Sequence, residues 1–192
     1  MSGVHPFLAL VALVLGGPQA GSGLVLELRV FNGQAEVSST TRVTVHRAGD
    51  RGKPVAVIAG GQAGVELEVP EGIYDVQAIE ERDGSVVNIQ WANRLVVMPY
   101  PDEGGRHLEV LNFQAGFGAL QVRGTPGGTP EVALQTGSKE AARAIQGQGY
   151  ILFVVPAGTY DVLVRRGERS VRHSGIEVPR DRTRLWVVPA DK

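Results

Sequence analysis

An eight-residue phrase occurs twice in this 192-residue chain: VPEGIYDV at Val69–Val76 and VPAGTYDV at Val155–Val162. Each copy follows an apolar run and leads into another. The chemistry of the phrase is that of a corner. Pro70 and Pro156 fix φ and stop strand pairing. Gly72 and Gly158 allow the positive φ that a tight turn needs. Tyr74 and Tyr160 bury a ring while the hydroxyl reaches a backbone group. One corner built twice, with strands on both sides, predicts one small β unit built twice.

The flanks carry the same message. Leu24, Leu26, Leu28 and Val30 alternate with Glu27 and Arg29, the pattern of a half-buried strand with its charges in water. Arg42–Arg47 turns Val43 and Val45 inward, and Ala48–Lys53 has the composition of a hairpin loop. Pro54–Ala59 returns, with Pro54 suited to a sheet edge. Val65, Leu67 and Val69 enter the first corner, and Tyr74, Val76 and Ala78 leave it. Asp83-Gly84 marks a hairpin. Ser85–Trp91 and Arg94–Met98 read as two strands or one bent strand, with Trp91 packed in the core alongside Val87 and Ile89. His107–Phe113 closes the unit.

The second unit repeats the order through Ala119–Arg123, the Thr125–Pro130 loop, Glu131–Gln135 and the Thr136–Lys139 turn. Glu140–Ile145 suits a short helix by propensity, but the repeat requires a strand. Tyr150–Val155, Tyr160–Val164, Glu168–His173, Gly175–Val178 and Arg184–Val188 complete it. The expected fold is all-β: two tandem seven-stranded Ig-like or transthyretin-like sandwiches, at 24–113 and 114–192. The short connection at Gln114–Gly118 predicts that the two touch.

The chain has no cysteine. That removes disulfides, thiolate metal sites and a cysteine nucleophile, so each unit must be held by its own core. Phe7–Leu15 is an unbroken apolar run, followed by Gly16-Gly17-Pro18 and small residues to Gly23. Residues 1–22 thus have the form of a secretory signal, although Met1–Pro6 lacks Lys and Arg. The alternatives are an uncleaved anchor or a packed apolar arm. Export to the periplasm or the extracellular space is expected.

The repeated pattern, an apolar strand followed by Pro-x-Gly-x-Tyr-x-Val, resembles the signature of carboxypeptidase-regulatory-like domains, bacterial sandwiches of transthyretin-like or Ig-like form. Pro70, Gly72, Tyr74 and Val76, then Pro156, Gly158, Tyr160 and Val162, carry the resemblance. With their flanks they cover most of 24–192. The resemblance implies non-catalytic modules that act as spacers, adhesive units or parts of envelope assemblies. It brings no catalytic residues. The usual large partner domain is missing from this sequence, so the modules themselves must be the product.

Motifs for chemistry are sparse. His46, His107 and His173 are scattered, without metal-ligand spacing. There is no G-x-S-x-G and no phosphate loop. The acidic groups Glu80-Glu81-Arg82-Asp83 and Asp102-Glu103 fall at turns, where solvated charge is expected. Asp75 and Asp161 face outward after each Tyr, compatible with a shared turn hydrogen bond or a weak Ca²⁺ role. No catalytic residue, metal or cofactor is predicted.

Charge is the sharper signal. Residues 24–113 hold 8 Lys/Arg against 13 Asp/Glu, and residues 114–192 hold 11 against 7. In the basic half, Arg169, Arg172, Arg182 and Arg184 gather in the last strands with Trp186. If Leu185 and Val187 point to the core, then Arg182, Arg184 and Trp186 form an exposed stripe of residue types enriched at binding hot spots. The other reading is a solvated face with Trp186 packed under arginine stems. The stripe has two candidate partners: the acidic half of a neighbouring copy, giving head-to-tail assembly, or an anionic glycan or lipid head group. Nucleic acid is not expected of an exported chain. The leading expectation is a non-catalytic envelope protein with a structural or protein-interaction role. The alternative is a module binding carbohydrate or another anionic envelope ligand through Trp186 and the arginine cluster, or less favourably through Trp91.

Overall fold

The computed structural model describes residues 24–59, 65–98, 106–124 and 131–189. The signal-like segment, the Thr125–Pro130 loop and Asp102-Glu103 lie outside them. The described residues are almost all strand, with one 3₁₀ turn at Ser38–Thr40.

Sixteen described strands form four four-stranded sheets. In the first half, β1 (Leu24–Asn32) pairs antiparallel with β2 (Ala35–Glu36) and β5 (Val65–Val69) and parallel with β8 (Arg106–Asn112). The facing sheet runs β4 (Asp50–Ile58), β3 (Thr41–Arg47), β6 (Gly72–Arg82), β7 (Ser85–Val97). The second half repeats this. Its β9 (Phe117–Arg123) pairs parallel with β16 (Thr183–Val187) and antiparallel with β13 (Tyr150–Pro156), which carries β12 (Ile145–Gln146). The facing sheet is β11 (Lys139–Ala142), β10 (Glu131–Thr136), β14 (Gly158–Arg166), β15 (Arg169–Val178).

Each half therefore has eight described strands rather than seven, because the short β2 and β12 add a pairing that their length hides in the sequence. Glu140–Ile145 contributes to β11 and β12 instead of a helix. Ser85–Val97 is one strand, bent where Arg94 takes a positive φ of 56°. Glu168–Val178 likewise yields the single strand β15.

Period-two alternation fills the two interiors. Leu26, Leu28, Val30, Val43, Val45, Tyr74 and Val76 are buried in one core, and Leu120, Val122, Leu134, Phe153 and Val162 in the other. Burying a side chain of this size contributes about 1.5–3 kcal/mol.

The corner works alike in both halves. The Tyr74 hydroxyl donates to the Pro70 carbonyl, and that of Tyr160 to the Pro156 carbonyl, each at 2.6 Å. The glycines act differently from the sequence reading. Neither Gly72 nor Gly158 has a positive φ; both begin strands. At Gly72 a Cβ would come within 2.5 Å of a nitrogen at the flexible end of Arg47, so a larger residue would push that guanidinium aside. That guanidinium lies 5.0 Å from the Tyr74 ring centroid, a cation–π contact. At Gly158 a Cβ would meet only ordinary contacts.

The buried corner matters more than the exposed one. Tyr74 is fully buried, whereas Tyr160 is half-buried. Tyr74→Phe is expected to cost about 1–2 kcal/mol in urea denaturation and Tyr160→Phe under about 1. Equal costs would mean that the hydrogen bond is not what distinguishes the two corners.

Candidate functional site

Three regions compete for a functional role: the predicted basic stripe, the junction between the halves, and the open sheet edges.

The predicted stripe is not a single surface. In β16, Arg184 and Trp186 stand opposite Leu120 and Val122 of the parallel neighbour β9. Leu120 and Val122 belong to the second core, so Trp186 faces inward. It packs against that core and meets His173 edge-on, with ring centroids 5.2 Å apart. Val187 is exposed. The expectation that Leu185 and Val187 fill the core is thus reversed. Alternation locates two faces but not which is inside, and on a parallel edge strand the neighbour β9 decides. Arg184 donates to the Glu177 carbonyl at 2.8 Å. Arg182 lines the junction crevice with Glu109. Arg172 lies on the outer face of the other sheet, bonded to Gln135 at 3.1 Å and 3.6 Å from Asp161. Arg169 is exposed at the β14–β15 hairpin. Arg169, Arg172 and Arg182 thus lie apart from the Arg184–Trp186 face of β16.

Trp91 is also placed differently from its expected core position. Val87 and Ile89 are exposed, and Trp91 lies on the outer face of its sheet under the Arg51 guanidinium, 4.2 Å from the ring centroid. Arg51 continues to Asp75 at 3.1 Å and Asn93 at 2.6 Å. Asp75 is buried and accepts the Arg94 N–H at 2.9 Å, satisfying the bend in β7. That bond and Arg51 hold its carboxyl below the usual range. Among the described residues no group of His, Cys, Asp and Glu is assembled to hold a metal.

The junction is a third core. Phe31, Leu108 and Val110 from the first half pack with Ala119, Tyr150, Leu152 and Val154 from the second. The far face of β1, expected in water, lies here. Glu27 and Arg29 are buried on it. Tyr150 donates a short hydrogen bond across the junction to Glu27. Burial first, and then that bond, push the Tyr150 hydroxyl pKa well up. Arg29 grips Glu36 in a fork, at 3.0 and 2.6 Å. Further ties cross at Gln34 to the Ala141 carbonyl, Arg106 to Gln148, and the Val110 N–H to Thr183. Asn112 holds the short connection, accepting from Gly33 and Gln114 and donating back to Gly33. These bonds make the junction a fixed spacer rather than a hinge.

Two recesses adjoin the junction. The crevice at Trp91, Glu109, Asn112, Phe117 and Arg182 holds about 40 Å³, room for a few waters and far below a ligand-sized pocket. An open groove of about 550 Å³ runs past Gln34, Glu36, Arg143, Ile145 and Gln146. In the crevice, burial raises the Glu109 carboxyl, opposed by His107 and Arg182. A raised folded-state pKa means that the fold favours the protonated acid, so Glu109 costs stability once ionised. Glu109→Gln should raise the thermal midpoint near pH 7, and do so less near about pH 4. A midpoint lowered equally at both pH values would contradict this.

The sheet edges differ between the halves. β7 and β15 hold the same position, each at the end of its sheet. On β15, Arg169, Arg172 and Glu177 stand exposed along the edge. On β7, Val86, Val87 and Ile89 are exposed instead, and Ser85–Asn93 carries no charge. The adjoining hairpins also differ. Glu80, Glu81 and Asp83 against Arg82 leave the β6–β7 hairpin at −2, while Arg165, Arg166 and Arg169 against Glu168 leave the β14–β15 hairpin at +2. Glu80 departs from the expectation of solvated charge: it is buried, held by Arg82 and Asn88, which keep its carboxyl below the usual range. The uncharged run along β7 was the readable signal that sequence reasoning passed over.

No family model matches the chain, and no curated protein does. Among solved structures, it is similar to an adhesin candidate from Bacteroides ovatus, at 10% identity over 81% of this chain and 82% of that one, with a TM-score of 0.32. A second B. ovatus structure, a cell-adhesion candidate, aligns at 10% identity over 86% and 92%, TM-score 0.29. A minor pilin of Streptococcus agalactiae aligns at 10% identity over 88% and 98%, TM-score 0.26. Scores this low transfer neither fold nor role.

Proposed function

We propose that the chain is a non-catalytic, exported interaction protein of the cell envelope. Its two sandwiches, 24–113 and 114–192, are modules of the carboxypeptidase-regulatory-like type, and copies attract one another head to tail through oppositely charged domains. One observation carries this reading: the same hairpin is net negative in the first half and net positive in the second. Oppositely charged hairpins at equivalent positions of two modules suit electrostatic head-to-tail contact. The junction supports it by tying the two modules, and with them the two hairpins, together. Export rests on the N-terminal segment; no described helix is long and apolar enough to cross a membrane. Trp186 packs against the second core, which weighs against it as a glycan-stacking face and leaves Trp91 as the other candidate.

The test is light scattering across salt concentration. Mean particle mass should fall as salt rises toward about 0.5 M, as screening removes contacts between exposed charges. Arg165→Glu with Arg169→Glu should abolish association, and mixing that variant with Glu81→Arg/Asp83→Arg should restore it. Particle mass independent of salt would overturn the charge-driven contact.

A further inference from the structure

The edge of β7 carries an inference that is independent of the charge-driven contact. We infer that β7 is a pairing edge, and that its occupant is β7 of a second copy, joined antiparallel about a two-fold axis.

A terminal strand presents a row of unpaired N–H and C=O groups, and soluble proteins guard such rows with charge, proline or brevity. β7 has neither charge nor proline along Ser85–Asn93; it is interrupted by a bulge at Val87, between the Val86–Glu81 and Asn88–Glu80 pairs, and at Gln90–Ala92 it borders the crevice against β8. It is a 13-residue strand with no proline. Val86, Val87 and Ile89 are 52%, 45% and 54% exposed. Val86 stands opposite Glu81 and Ile89 opposite Ile79, with Val87 the extra residue of the bulge between them. Apolar surface is therefore exposed along the first half of this edge. The repeat supplies an internal comparison. The equivalent strand β15 keeps one exposed valine, Val171, among Arg169, Arg172 and Glu177. The same position in the same fold is lined by charge in one copy and by uncharged, largely apolar residues in the other.

Charge selects the occupant. The bare run ends in Asp83 on one side and Arg94 on the other. Both take positive φ, which turns the chain where the run stops. A second β7 laid antiparallel brings the acidic end of each copy toward the basic end of the other, twice over by symmetry. Between these ends no like charges can meet, because none are present. A parallel arrangement would set Asp83 beside Asp83 and Arg94 beside Arg94. Two-fold pairing is also self-limiting: each copy has one β7, so the product is a closed dimer. Roughly one inter-strand hydrogen bond forms per paired residue, and the apolar side chains on both faces find cross-strand partners.

This contact is held by backbone bonds and apolar surface, so it should persist where head-to-tail attraction is screened. In sedimentation equilibrium at about 1 M salt, where the screening length is about 3 Å, the chain should be a dimer. Ile89→Lys should weaken that dimer by about a hundredfold or more, since it sets like charges against each other. Val171→Lys, the matching change on β15, should leave it intact. Thermal melts of both variants check folding, and both positions are exposed enough to accept lysine. Hydrogen exchange gives a second readout: amides of Ser85–Asn93 should gain protection as concentration rises. A monomer at high salt, a dimer indifferent to Ile89→Lys, equal loss in the Val171→Lys control, or β7 amides indifferent to concentration would each overturn the assignment. Salt-dependent growth without a high-salt dimer would leave the charge reading standing and this one fallen. A salt-indifferent dimer would do the reverse.

Discussion

Phe31→Ala is expected to cost about 3–5 kcal/mol, the range for emptying a fully buried phenylalanine site, and to split one calorimetric transition into two. Phe31 has no exposed surface and sits in the junction cluster against side chains of both halves. Its strand, β1, is also central to the first sheet, with Leu26, Leu28 and Val30 on the opposite face. The cavity therefore loosens the tie between the halves without emptying either interior. Two halves that melt together because they share a core should melt separately when that core is thinned. A loss under about 1 kcal/mol, or one sharp transition retained, would mean that the halves are held mainly by the polar ties.

Arg29→Met is the second large effect. Arg29 is buried on the same face of β1 and gives both arms of its fork to Glu36, which is mostly covered. The methionine keeps the packing volume and removes the charge. Glu36 then loses its charged partner and keeps only the Ser38 hydroxyl. Breaking a buried pair from one side typically costs about 3–5 kcal/mol, and the partial exposure of Glu36 reduces this to about 2–4. Adding Glu36→Leu should recover most of the loss, because the stranded charge goes with it. Urea denaturation of the two single variants and the double variant measures the coupling. Additive losses would show that the pair does not act as a unit.

These two residues also show what the sequence could reveal. The period-two rows through Leu24–Val30, Arg42–Arg47 and Tyr150–Val155 are legible because a strand has only two faces and water sorts them. The duplicated corner then supplies the repeat. What remained hidden is any face where water is replaced by the other half. Glu27 and Arg29 alternate with leucines just as solvent-facing charges do; only the arrival of Tyr150 and Leu152 makes that face interior. Trp186 failed for a related reason, since the neighbour β9 determines which side of β16 is inside. Gly72 has no positive φ; a Cβ there would meet the end of the Arg47 side chain, a contact with no local signature. The bare β7 edge was legible in principle as a run without charge, but exposure gives it meaning, and exposure belongs to the fold.

The parallel pairing of β1 with β8, repeated by β9 with β16, has a consequence for how the chain reaches this state. In each half the first strand waits for the last before its sheet is complete. Contacts between such distant segments raise contact order, and chains of this kind fold in roughly milliseconds to seconds rather than microseconds. Until β8 arrives, one side of β1 is an open edge, and until β9 and β13 arrive its outer face, Phe31 included, has no cover. The order in which strands become available thus sets a period of vulnerability that ends only when the second half docks.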